Sequence, residues 1–138
     1  MKKVGGIYCG YENELLAACK ITVKITDEYQ KSLDAKKDRK LCVSEYYAFA
    51  EKLRECVSLA DQTAKKVSER IEQADKINDF TAEDTFNKLL EQYIYYRTNV
   101  EYFLKITEAA KSSDDFLRVL NHEADVLARK TIVIKDQI

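Results

Sequence analysis

Side chains able to do covalent, acid–base or metal chemistry are sparse in this sequence. There is one histidine, His122, and there are four cysteines, Cys9, Cys19, Cys42 and Cys56, against nine tyrosines and no tryptophan. A nucleophilic serine or cysteine needs a base held by an orienting acid. The only acids next to His122 are Glu123 and Asp125, which point to different faces of the helix that carries them. A di-iron bundle needs a Glu-x-x-His pair on two helices; one histidine rules that out, and Val119 stands where the glutamate would be. The cysteines are spaced too widely for a zinc knuckle or a redox pair and read as reduced packing residues. Gly5, Gly6 and Gly10 follow no strand, so they make no phosphate-binding loop.

Two further uses of a lone histidine also lack support. Phosphotransfer histidines in helical bundles are followed by a lysine and a glycine that admit a partner, whereas Asn121, Glu123, Ala124 and Asp125 surround His122. Covalent haem attachment would require C-x-x-C-H, which is missing. The sequence therefore predicts a non-enzyme, with no catalytic residue, no cofactor and no metal.

The elements that position these residues are helices. Charged residues make up 34% of the chain and apolar ones 46%, there is no proline, and the three glycines all precede residue 11. Such a composition favours long helices over turn-rich sheets. At 138 residues the chain suits one domain, 1–138, with residues 1–9 a coil that is disordered or docked. Apolar residues then recur at alternating steps of three and four. Tyr8, Tyr11, Leu15, Ala18, Thr22, Ile25 and Tyr29 mark helix 1. Val43, Tyr46, Ala50, Leu53, Val57, Ala60, Ala64, Val67, Ile71 and Ala74 mark helix 2, beside a second row of Cys42, Phe49, Cys56, Thr63, Arg70 and Ile77. Helix 3 carries Phe86, Leu89, Tyr93, Tyr96, Val100, Phe103, Thr107 and Ala110. Helix 4 carries Leu117, Leu120, Ala124, Leu127, Thr131 and Ile134, flanked by Val119, Val126 and Val133.

Polar breaks fall at Lys36–Lys40, at Asn78–Phe80 and at Lys111–Asp115. Asp38, a Thr81/Asp84 capping box, and Ser112 or Ser113 are the expected helix caps. Connections this short force antiparallel neighbours. The predicted fold is all-α, an antiparallel up-down-up-down four-helix bundle with long helices. The alternative is a pair of helical hairpins that dimerise as a coiled-coil bundle.

Antiparallel pairing also fixes a register. Across the first break it sets Cys19 level with Cys56. Across the second it sets Ala110 level with Ala50, so roughly 10 residues, about 15 Å, of helices 1 and 2 should project beyond helix 3. Tyr29, Leu33, Tyr46, Tyr47 and Phe49 lie on that projection. A second surface follows from Tyr95 and Tyr102, seven apart outside the seam of helix 3, with Ile106 and Ala109 extending the stripe. Exposed aromatic residues in line suit a protein contact. Tyr46, Tyr47, Phe49, Tyr95, Tyr102 and Ile106 are accordingly the predicted partner-binding residues.

Charge narrows the partner. With 23 basic and 24 acidic side chains the formal charge is −1, which provides no field for nucleic acid. The opening MKKVGGIYCGY lacks the apolar run of a signal peptide, and no window suits a membrane span, so the expected location is cytoplasmic. The expected function is a non-enzymatic protein–protein interaction module, adaptor or chaperone-like, that binds another protein or forms a homodimer. The alternative is a small-molecule sensor or carrier with a pocket inside the bundle, beside Thr22, Thr107 and Thr131 and the small Ala60 and Ala64.

Overall fold

In the computed structural model, which describes residues 7–35 and 39–138, four helices follow one another: α1 (Asn13–Asp34), α2 (Arg39–Lys76), α3 (Phe80–Ala110) and α4 (Phe116–Gln137). Each packs antiparallel on the next, and α4 closes the ring against α1, while the diagonal α2–α4 contact is slight. The fold is thus an all-α four-helix bundle, as the periodicity predicts. The expected cap at Asp38 and residues 1–6 lie outside the described residues.

The core follows the predicted seams, with one instructive difference on α2. Cys42, Phe49, Cys56 and Thr63, the flanking row, are buried as fully as Tyr46, Ala50, Leu53, Ala60, Val67 and Ala74, whereas Val43, Val57, Ala64 and Ile71 are only partly covered. A helix with two neighbours needs two rows, and α2 lies between α1 and α3 along most of its length. The row stops short of its predicted end: Arg70 is half-buried and Ile77 is exposed. Each wholly buried leucine, such as Leu53 or Leu89, contributes about 2 kcal/mol relative to leaving it in water.

The N-terminal segment docks from residue 7. Cys9 (φ 53°) and Gly10 (φ 87°) take left-handed conformations that turn the chain into α1. Tyr8 and Tyr11 thereby reach Phe86 of α3, with ring centroids 6.4 and 5.0 Å apart.

Both remaining corners differ from the expected caps. Asn78 (φ 56°) ends α2 in a left-handed residue, and the Asp79 N–H donates to Ala74 O at 2.8 Å. Asp79 then caps α3 itself, its Oδ1 accepting from the Ala82 N–H at 3.1 Å. Thr81 and Asp84 therefore lie inside the helix, because one short turn both stops α2 and starts α3. At the other corner Asp115, not Ser112 or Ser113, precedes α4, and Ser113 Oγ accepts from the Asp115 N–H. The start is pinned there by Phe116, which is wholly buried.

The tight Asn78–Asp79 turn also shifts the α2–α3 register. Phe49 meets Phe103 edge-on at 5.5 Å, and Tyr47 Oη accepts from Lys111 Nζ at 2.9 Å. Consequently α3 reaches about one helical turn further along α2 than a register with Ala110 beside Ala50 allows.

Candidate interaction surface

That extra turn decides the fate of the predicted aromatic projection. Tyr46 is 0% exposed and Phe49 is 3% exposed. The Tyr46 hydroxyl accepts from Thr107 Oγ1 at 2.8 Å and donates to Leu104 O at 3.3 Å. Its ring meets Phe116 at 5.7 Å, nearly perpendicular, so the third connection folds over this end. Phe49 stacks flat on Tyr29 at 4.2 Å. Burial raises the Tyr46 phenol above its ordinary value, and the Tyr29 phenol strongly so. Tyr46 and Phe49 are thus core residues and offer nothing to a partner. Tyr47 alone of the three predicted on α2 is open, and Lys111 lies 5.2 Å from its ring centroid.

The predicted stripe on α3 is open. Tyr95 is 49% exposed, Tyr102 is 51% exposed, and Ile106 is half-buried beside them. All three lie on the flank of α3 turned toward α4. Tyr95, Thr98 and Asn99 line one side of a groove of about 460 Å³, with Lys130 and Val133 on the other. Further along, a narrower cleft brings Tyr102 together with Val126 and Glu123. Tyr95 and Thr98 thus share one stretch of the α3–α4 groove with Lys130 and Val133, and Tyr102 shares the next with Val126. Val133, 60% exposed, is the largest contribution that the predicted site residues omit. Its signal was present in the sequence, since Val119, Val126 and Val133 repeat at the same seven-residue spacing as Tyr95 and Tyr102.

The opposite flank of α3 is closed by charge. Tyr93 Oη donates to Asp61 Oδ1 of α2, and Arg97 Nη1 donates to Tyr93 Oη at 3.0 Å while lying 3.4 Å from Asp61. Arg97 Nε also holds Glu101 at 3.2 Å. Burial first, and the Asp61 carboxylate second, push the Tyr93 phenol up. Its proton is therefore held between the two helices at neutral pH.

The bundle interior is also occupied by its own chemistry. Thr22 Oγ1 and Tyr96 Oη share a hydrogen bond at 2.7 Å, and Thr131 Oγ1 donates to Leu127 O at 2.7 Å. Cys19 lies close enough to Cys56 for the two thiols to influence each other, as the register predicts, and both are free. Burial, with a smaller push from Cys56, raises the Cys19 thiol to about 12. Cys42 is buried and in no disulfide, Cys9 is exposed, and His122 is exposed on α4. Among the described residues no three His, Cys, Asp or Glu side chains converge on a possible metal position, and no helix is long and apolar enough to cross a membrane.

No protein family, curated protein or solved structure matches the chain.

Proposed function

We propose that this protein is a non-enzymatic protein–protein interaction module, adaptor or chaperone-like, whose binding face is the α3–α4 groove around Tyr95, Tyr102 and Ile106. One observation carries the reading. Two tyrosines seven residues apart stand half-exposed on α3, level with two valines on α4, while the tyrosines of the seam beneath them are buried. Tyrosine presents a large rigid ring with a polar end, and it is enriched where proteins meet. The alternative of a small-molecule carrier has less behind it, because the Thr22, Thr107 and Thr131 hydroxyls that would greet a ligand are already bonded within the bundle.

The test is quantitative co-purification from extract of the source cells with wild-type protein, with Tyr95→Asp/Tyr102→Asp and with Tyr47→Asp. A protein retained by wild type and by Tyr47→Asp but lost from the α3 variant supports the reading. Identical retention by all three refutes the α3–α4 face as the binding site.

A further inference from the structure

We infer that the α3–α4 face takes a second copy of this chain, in a symmetric dimer whose two-fold axis runs along the bundle, so that α3 of one copy lies on α4 of the other. This rests on the reading of that face as an interaction surface and names its occupant.

Register fixes which residues such a dimer brings together. A two-fold axis parallel to the helices leaves every residue at its own height, so the copies have no freedom to slide. Whatever is level on α3 and α4 within one chain must then meet between chains. Tyr95 would therefore face Val133 of the second copy, Thr98 would face Lys130, and Tyr102 would face Val126. One heptad further, the same register sets Lys105 against Glu123 and Ala109 against Val119. Symmetry makes every one of these contacts twice. Aromatic meets aliphatic, the one charged pairing joins opposite signs, and no like charges come together.

Other arrangements fail that comparison. A two-fold axis across the helices would stack α4 on its own copy at a height the operation leaves free, so the register within one chain would not carry over to the contact. The α1–α2 groove, about 250 Å³, mixes Glu28 and Glu45 with Lys52, and Ser32 already donates to Glu45 there within the chain. The α2–α3 flank is already spanned by Asp61, Tyr93 and Arg97.

Size agrees as well. The paired stretch of α3 and α4 is roughly 27 Å long and two helices, about 20 Å, wide. It therefore offers about 500 Å² per copy, near the total of roughly 1,000 Å² at which specific interfaces begin. An interface of that size is at the weak, reversible end of specific contacts.

Sedimentation equilibrium of the full chain from about 1 to about 300 μM tests this. A reversible monomer–dimer transition is expected, weakened roughly tenfold or more by Tyr102→Asp. Tyr47→Asp should leave it unchanged. Lys105→Glu and Glu123→Lys should each weaken it several-fold, and the two together should restore it to within about twofold, because the pair is exchanged across the interface. Circular dichroism melts of every variant separate loss of association from loss of folding.

A chain that stays monomeric at about 300 μM overturns the inference and leaves the interaction face to a different protein, which co-purification reads independently. A dimer indifferent to Tyr102→Asp overturns the face. One that does not recover on exchanging Lys105 and Glu123 overturns the register.

Discussion

Both flanks of α3 carry tyrosine, and they finish differently. Toward α2, Tyr93 gives its hydroxyl to Asp61, and Arg97 binds that hydroxyl, Asp61 and Glu101. Toward α4, Tyr95 and Tyr102 stand above a groove whose other wall carries Val133 and Val126 beside Lys130 and Glu123. The first flank spends its polar groups on each other and is complete as a surface. The second leaves two aromatic rings half in water. What separates the two is the neighbour: α2 offers a carboxylate at the level of Tyr93, and α4 offers aliphatic side chains at the levels of Tyr95 and Tyr102.

Tyr95 and Tyr96, adjacent in sequence, put that contrast to the hardest test. Tyr96 is wholly buried beneath both flanks, so Tyr96→Ala should cost about 3–5 kcal/mol of stability in urea unfolding, through lost burial and the cavity left behind. Tyr95→Ala should stay within about 0.5 kcal/mol, since a half-exposed ring leaves little behind. Equal losses would mean that the α3–α4 groove is part of the core and not an open face. Tyr96→Phe keeps the ring and removes only the hydroxyl that pairs with Thr22 at 2.7 Å. It should cost about 1–2 kcal/mol, the penalty of leaving a buried hydroxyl without its partner.

The legible part of this molecule was whatever depends on periodicity. Seams at steps of three and four identify most of the buried face of each helix, and a heptad repeat picked out Tyr95 and Tyr102. Registers depend on turns, and the turns were harder. A left-handed Asn78 and the Asp79 cap save about one turn of chain compared with a Thr81 cap, and that difference buries Tyr46 and Phe49. Propensity could not foresee it, because Asn, Asp and Thr all suit a helix boundary. Phe116 was overlooked for a related reason: it begins α4 directly after two acids, where no seam precedes it to show that it points inward. The match between Val133 and Tyr95 requires knowing that α3 and α4 are neighbours in register, which no single helix reveals.

On the closed flank the expected effects are smaller. Asp61→Asn removes the charge that Tyr93 and Arg97 share, at a position roughly half open to solvent. It should cost no more than about 1 kcal/mol, with the difference shrinking at high salt as screening weakens the pair. Lys130→Ala, on the open flank, should change stability by less than about 0.5 kcal/mol. If Asp61→Asn is as neutral as Lys130→Ala, the network decorates the flank without closing it.

The smallest effect is the one most particular to the closed flank, and it appears only at alkaline pH. Tyr93 donates its proton to Asp61, so a phenolate formed there would face a carboxylate from a buried position. Its folded pKa therefore lies above the ordinary phenol value of about 10. A group raised in this way contributes stability in full below its unfolded pKa and loses it as the pH rises through the folded one. Wild-type protein should thus lose stability above about pH 10. Tyr29 and Tyr96 are raised by burial too and share in that loss, so the test is a difference. Urea midpoints measured from neutral to alkaline pH should fall less steeply for Tyr93→Phe than for wild type. Tyr95→Phe, on the open flank, should follow the wild-type slope. Parallel slopes for all three would show that the Tyr93–Asp61 proton is not held by the fold, and the two flanks of α3 would differ in shape alone.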